Sequence, residues 1–209
     1  MTFQTPQTPT PKKIPENIPD EYRQAISRLL IDENTLQNRI QEMGRALSRD
    51  YAAYNPVFVG VLKGVLFFMA DLLRYTTIPL EVDFMAVTSY SQESRDQGVV
   101  RITKDLDICI EGRHVVFVED IIDTGLTLGY LLKMLRSRHP ASLEVAALFD
   151  RPNRRLVNIQ ARYVGFHLPD LFVVGYGLDF REQFRNMPFV AVLNPEILNQ
   201  QRTPHLPSV

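Results

Sequence analysis

The segment Val115-Val116-Phe117-Val118-Glu119-Asp120-Ile121-Ile122-Asp123-Thr124-Gly125-Leu126-Thr127 constrains this chain more than any other part of it. Its unbroken apolar run reads as a strand buried on both faces. The run ends in two adjacent carboxylates, Glu119 and Asp120, then a third, Asp123, and enters a Thr-Gly-x-Thr turn. Leu128, Leu131, Leu132 and Leu135 follow at helical spacing. A buried strand that feeds a helix through a short turn belongs to a mostly parallel α/β sheet, and such sheets bind ligands outside the carboxyl ends of their strands. Acids and small residues at that end point to an enzyme acting on a phosphorylated, Mg²⁺-bound substrate.

The rest of the chain supplies the matching elements. From Asp20 to about Asp50, Ile26, Leu29, Leu30, Leu36, Ile40, Met43 and Leu47 recur at helical spacing. Asp32-Glu33-Asn34 reads as a break and a new cap between two helices. Residues 57–62 form a strand bounded by Pro56 and Lys63-Gly64. Residues 65–74 form a helix that is apolar nearly all round, the mark of a core helix or one that also packs in an oligomer interface. Strands follow at 82–90, 99–103, 113–118, 143–149 and 162–166, with a polar, mobile loop over 91–98. The alternation predicts helices on both faces of the sheet.

Five of the fourteen prolines fall in the first nineteen residues, among Thr and Gln, so residues 1–19 are expected to be a disordered tail. The domain then covers 20–199 and a C-terminal tail 200–209. A net charge of −1 without a basic excess argues against nucleic-acid or membrane-surface binding. Cys109 is the only cysteine, which precludes an intramolecular disulfide and fits a reducing cytoplasm. Its setting, Asp107-Ile108-Cys109-Ile110, suggests a buried or half-buried side chain rather than a nucleophile. No secretory signal is visible, and no apolar run approaches the ~18 residues of a transmembrane helix. His114, His139, His167 and His205 show no spacing suggestive of a metal site.

Three carboxylates in five residues repel one another unless a cation is present, and Mg²⁺ takes hard oxygens and shares them with substrate phosphates. Backbone N–H groups from Asp123 to Thr127 can wrap a phosphate at a helix N-terminus, with Thr124 and Thr127 adding hydroxyl donors. An acidic strand end with an Asp/Thr cap is the plainer alternative.

The segment resembles the phosphoribosyl-pyrophosphate (PRPP) binding motif of type I phosphoribosyltransferases. Its wording is similar to the hypoxanthine-guanine branch. Four further blocks support that branch in the expected order: 59–64 (Val-Gly-Val-Leu-Lys-Gly), 82–90 (Val-Asp-Phe-Met-Ala-Val-Thr-Ser-Tyr), 163–166 (Tyr-Val-Gly-Phe) and 172–179 (Phe-Val-Val-Gly-Tyr-Gly-Leu-Asp). Together they span about residues 30 to 195.

The resemblance implies a type I phosphoribosyltransferase fold: a mostly parallel central sheet flanked by helices, with a small hood built from the N-terminal segment and about 165–190. It implies a purine salvage enzyme, cytoplasmic and a homodimer or homotetramer. This enzyme would move ribose 5-phosphate from PRPP to N9 of hypoxanthine or guanine, giving IMP or GMP and pyrophosphate. Glu119 and Asp120 would hold the ribose hydroxyls and Mg²⁺, and Asp179 would hold a second Mg²⁺ through water. Asp123 would be the proton partner of purine N7, a sensible place for a carboxylate because sharing that proton makes N9 more nucleophilic. Asp123, Thr124, Gly125, Leu126 and Thr127 would cradle the 5′-phosphate. Lys63-Gly64 would be the pyrophosphate loop, with a non-proline cis peptide, and Arg185 would contact pyrophosphate. Ser89-Tyr90 and the following loop would be a lid over the ribosyl cation. Phe172 would stack on the purine, and Val173 would present backbone groups to its edge, beside Asp179.

Arg151 departs from the family pattern, which has lysine there to contact the purine 6-oxo group. Arginine is still a pure donor, but its fork is bulkier and aims its donors differently. Leu126 stands where relatives often have lysine, although a backbone contact would not need the side chain. Two other readings compete: a xanthine-preferring relative, and a PRPP-sensing regulatory protein on the same fold.

Overall fold

A computed structural model describes residues 6–8, 14–15, 18–89 and 100–199. The elements run α1 (Asp20–Ala25), β1 (Ile26–Ile31), α2 (Glu33–Asp50), β2 (Val57–Leu62), α3 (Leu66–Tyr75), β3 (Glu81–Ser89) and β4 (Val100–Lys104). They continue with β5 (His114–Ile122), α4 (Leu126–Arg136), β6 (Ser142–Asp150), a 3₁₀ turn (Pro152–Arg154), β7 (Tyr163–His167), β8 (Val173–Val174), β9 (Val190–Leu193) and α5 (Pro195–Asn199).

Six strands form the main sheet in the order β4-β3-β2-β5-β6-β7. All neighbours are parallel except β3 and β4. In β5, Val116 and Val118 point into one core with α2 and α3, while Val115 and Phe117 point into the other with α4. Two buried faces leave no position for a polar residue, which explains the unbroken apolar run. Asp32 caps α2 by accepting from the Thr35 N–H at 2.7 Å. Among the described residues no helix is long and apolar enough to cross a membrane.

The strand order reverses direction between β2 and β5. There the two strands part: β2 pairs with β5 only as far as Gly60↔Val118, whereas β5 pairs with β6 on to Ile122↔Asp150. The gap opens a crevice at the carboxyl ends of the strands, where α/β sheets bind ligands. Glu119 and Asp120, expected beyond the strand, therefore lie within it, because β6 continues to pair with them after β2 has turned away.

A second sheet, β1-β9-β8, is antiparallel and carries its own core of Ile26, Leu29, Val174, Phe184, Phe189 and Leu193. Here the sequence reading is corrected. Ile26, Leu29 and Leu30 belong to a strand, not a helix. Two register shifts against β9 break the period of two, so burial recurs at positions 26, 29 and 30 and imitates helical spacing. Cys109 is also corrected, since it is exposed. Leu106, Ile108 and Ile110 turn inward, which leaves Cys109 on the outer side of the alternation.

Of the first nineteen residues, Gln7 makes an isolated parallel bridge to Phe166 of β7. Its N–H donates to Gly165 O at 3.2 Å, and its carbonyl accepts from the His167 N–H at 3.0 Å. Tyr90 and the expected mobile loop at 91–98 lie outside the described residues.

Candidate active site

The crevice between β2 and β5 widens into a cleft of about 680 Å³, and half of the expected residues line it. Lys63, Glu119, Asp120, Asp123, Thr124, Gly125, Thr127 and Arg185 form its walls. Leu126 begins α4 and is not among those walls, and its N–H lies 3.4 Å from Thr124 Oγ1. Ser89 ends β3 opposite Val100.

The turn 123–125 joins β5 to α4. Gly125 has φ +79°, and a Cβ there would come within 2.9 Å of Ile159 and 3.0 Å of Val157. Glycine is therefore needed both for the left-handed backbone and for the segment packed behind it. That segment also donates the Leu156 N–H to Thr124 O at 2.9 Å.

The Leu62–Lys63 peptide is cis. Gly64 sits so close to Asp120 that a Cβ would fall 1.9 Å from Oδ2. From the hood side, a Cβ on Gly177 would fall 2.1 Å from Gly64 O. Two glycines thus let the hood, the 63–64 turn and the β5 acids stack in contact. Tyr176 anchors the stack by donating to Asp71 Oδ2 on α3 at 2.6 Å, and Gln37 Nε2 donates to the same oxygen at 2.6 Å. Arg185 donates to Gly177 O at 2.7 Å and pairs with Asp179 at 2.8 Å, while Lys63 pairs with Glu182 at 2.7 Å. Asp179, expected as a metal and purine residue, is held by Arg185 and lies outside the cleft wall.

Glu119 and Asp120 are half-buried, and among the described residues neither has a salt-bridge partner. Desolvation, and then repulsion from Asp120, raise the Glu119 carboxyl well above the usual range. Desolvation pushes Asp120 up to about 6, against the Ile121 N–H bond and the Arg185 charge, which lower it. Such a pair fits a hard cation, which would supply the missing positive charge. Among the described residues no three metal-ligating side chains gather by themselves.

A stability consequence follows. A carboxyl whose folded pKa is raised binds a proton that the unfolded chain releases, so stability falls as pH rises from about 4 through 6. In metal-free protein, Asp120→Asn is expected to raise Tm most above pH 6, with the gain shrinking toward pH 4. Thermal melts across that range check this, and a gain independent of pH would contradict it.

The proposed purine residues cluster beside the cleft. Arg151 is buried and donates to the carbonyl of Leu171, the residue before Phe172. Its Nη1 lies 3.8 Å from Asp123 Oδ2, and its Nε is buried without a hydrogen-bond partner. Burial lowers its pKa, while Asp123 acts to raise it. Phe172 is 40 % exposed and meets Phe180 edge-on, and Val173 is buried in β8. Arg151 thus ties Asp123 to the Phe172 segment. The sequence reading missed Arg154, whose Nε lies 3.2 Å from Asp123 Oδ1. The only signal for it was its place in the Arg-rich run 151–155, which reads equally as a solvated turn.

The model of the phosphoribosyl transferase domain family matches residues 32–181. The chain is 46 % identical over 172 residues to the hypoxanthine-guanine phosphoribosyltransferase of Bacillus subtilis, covering 82 % of this chain and 96 % of that one. A solved hypoxanthine phosphoribosyltransferase from Staphylococcus aureus superposes with a TM-score of 0.83 at 43 % identity, covering 88 % of this chain and 98 % of that one. Trypanosoma cruzi hypoxanthine phosphoribosyl transferase, studied for the role of its C-terminal region in oligomeric state and activity, gives 0.80 at 37 % identity, covering 85 % and 96 %.

Proposed function

We propose, from the premise that this chain belongs to the hypoxanthine-guanine branch of the phosphoribosyltransferase family, a Mg²⁺-dependent transfer of ribose 5-phosphate from PRPP to N9 of hypoxanthine or guanine. The products are IMP or GMP and pyrophosphate. One observation carries the reading: a paired-acid strand end, the 123–127 turn at a helix N-terminus and two cations, Lys63 and Arg185, converge on one cleft.

The residues divide the work by chemistry. The 123–127 turn offers N–H groups and two threonine hydroxyls to the 5′-phosphate, leaving the ribose to reach back toward Glu119 and Asp120. Lys63 and Arg185 face the pyrophosphate end, where they exchange their present partners Glu182 and Asp179 for phosphate oxygens. Phe172 stacks on the base, and Arg151 donates to its 6-oxo group. As N9 bonds to C1′ and the C1′–pyrophosphate bond breaks, the N7 proton passes to Asp123. Glu119 and Asp120 would hold Mg²⁺, which would supply positive charge for the departing pyrophosphate.

The exposed apolar residues Leu62, Leu66 and Phe67 support a homodimer or homotetramer, and a monomer in sedimentation would refute it. We place the reaction in the cytoplasm, in keeping with a single free cysteine. The deciding experiment is PRPP-dependent turnover with hypoxanthine, guanine and xanthine in parallel. Turnover is expected with the first two. Xanthine as the best substrate would favour the Arg151-driven alternative, and nucleotide formation from none would leave a PRPP-sensing protein.

A further inference from the structure

We infer that Arg154 is the positioning residue for Asp123, holding one carboxylate oxygen so that the other faces the base. The inference rests on the proposed role of Asp123 as proton partner of N7.

The geometry separates the two oxygens. Asp123 as a side chain is 38 % exposed, yet Oδ1 is closed off from solvent and has no hydrogen-bond partner. The Nε of Arg154 lies 3.2 Å from it. Among the described residues, Oδ2 has only the more distant Arg151 Nη1, at 3.8 Å. A carboxylate held on one side by a charge loses its rotation but keeps its second oxygen for the substrate.

Arg154 is itself fixed. It ends the 3₁₀ turn at Pro152–Arg154, with its N–H donating to Arg151 O at 3.1 Å. That turn is tied to both neighbours of Asp123. Arg151 N–H donates to Ile122 O at 3.0 Å, and Leu156 N–H donates to Thr124 O at 2.9 Å. The far end of the guanidinium, Nη1, lies 3.6 Å from Asp170 Oδ1, two residues before Phe172. Arg154 therefore bridges the cleft floor to the segment that carries the stacking ring. Its neighbour Arg155 turns the other way, to the buried Asp150, and takes no part.

Arg154 is 43 % exposed, so its removal should leave the fold intact. The test is a double-mutant cycle of Arg154→Gln and Asp123→Asn, read in kcat, KM for PRPP and Tm. Arg154→Gln is expected to lower kcat about 10–100-fold through loss of this ion pair, with KM for PRPP within about twofold and Tm unchanged. In the Asp123→Asn background the same substitution should change kcat by less than about twofold, since its target is gone. Arg154→Lys should restore part of the activity. Wild-type kcat in Arg154→Gln overturns the inference, as does an equal loss in both backgrounds, which would mean the arginine acts elsewhere. Full activity in Asp123→Asn alone instead overturns the role of Asp123, and the inference with it.

Discussion

Replacing Asp123 by asparagine is expected to lower kcat by roughly 10²–10⁴-fold, the usual contribution of a positioned general base, while KM for PRPP stays within a few-fold. Asparagine keeps the shape and one acceptor oxygen, so the 123–127 turn and its tie from Leu156 to Thr124 survive. What it loses is the ability to take a proton. In the proposed reading PRPP is held by the N–H groups of that turn and the cations at the far end of the cleft, none of which depends on the carboxylate charge. Steady-state kinetics with hypoxanthine and guanine would measure both parameters. A kcat equal to wild type would remove Asp123 from the chemistry, and a loss confined to KM for PRPP would make it a phosphate-site residue only.

Gly177→Ala is expected to have the second largest effect, with a different kinetic signature. Position 177 has φ +93°, where a side chain costs about 1–3 kcal/mol. Its Cβ would also lie 2.1 Å from the backbone oxygen of Gly64. Gly64 cannot retreat, because it already rests on Asp120. The whole stack of hood, 63–64 turn and β5 acids must therefore open. KM for PRPP and for pyrophosphate should rise more than about tenfold, and Tm should fall by several degrees. Gly112→Ala is the control, since it shares a positive φ of +67° but has open space at its Cβ. It carries the backbone cost without the clash, so Tm falls slightly while both KM values hold. Wild-type KM for PRPP in Gly177→Ala would show that the contact has no role in the pyrophosphate site.

These two residues mark how far the sequence could be read. The place of Asp123 in the cleft wall was legible because its setting is local: strand, acid, turn and helix follow one another within thirteen residues, and short-range order fixes their arrangement. The main sheet was legible for a related reason, because strands buried on both faces cannot hide their apolar runs. The contact of Gly177 with Gly64 joins residues more than a hundred positions apart, and no pattern along the chain announces it. Strand β1 failed differently. Its two register shifts against β9 produced the spacing of a helix, and only pairing, which is invisible in one dimension, separates the two. Arg154 was hidden by its ordinary composition, since a surface arginine in a turn differs from a positioning one only in which oxygen it reaches. Cys109 was misplaced because apolar neighbours suggested burial, whereas alternate residues here face opposite ways.

The bridge from Gln7 to β7 has a bearing on solubility. In the main sheet β7 is a terminal strand, and an uncovered terminal strand is a template on which another chain can add. Gln7 occupies both an outward-facing carbonyl, that of Gly165, and an outward-facing amide, that of His167. At the opposite side of the sheet, β4 is the other terminal strand and pairs antiparallel with β3. Gln7, in a segment that composition alone would offer for trimming, thus covers part of the free side of β7. Without Gln7 the His167 amide would lose its partner, and that stretch of the sheet border would be open to another chain, although Gly165 O would still accept from Arg39 Nε.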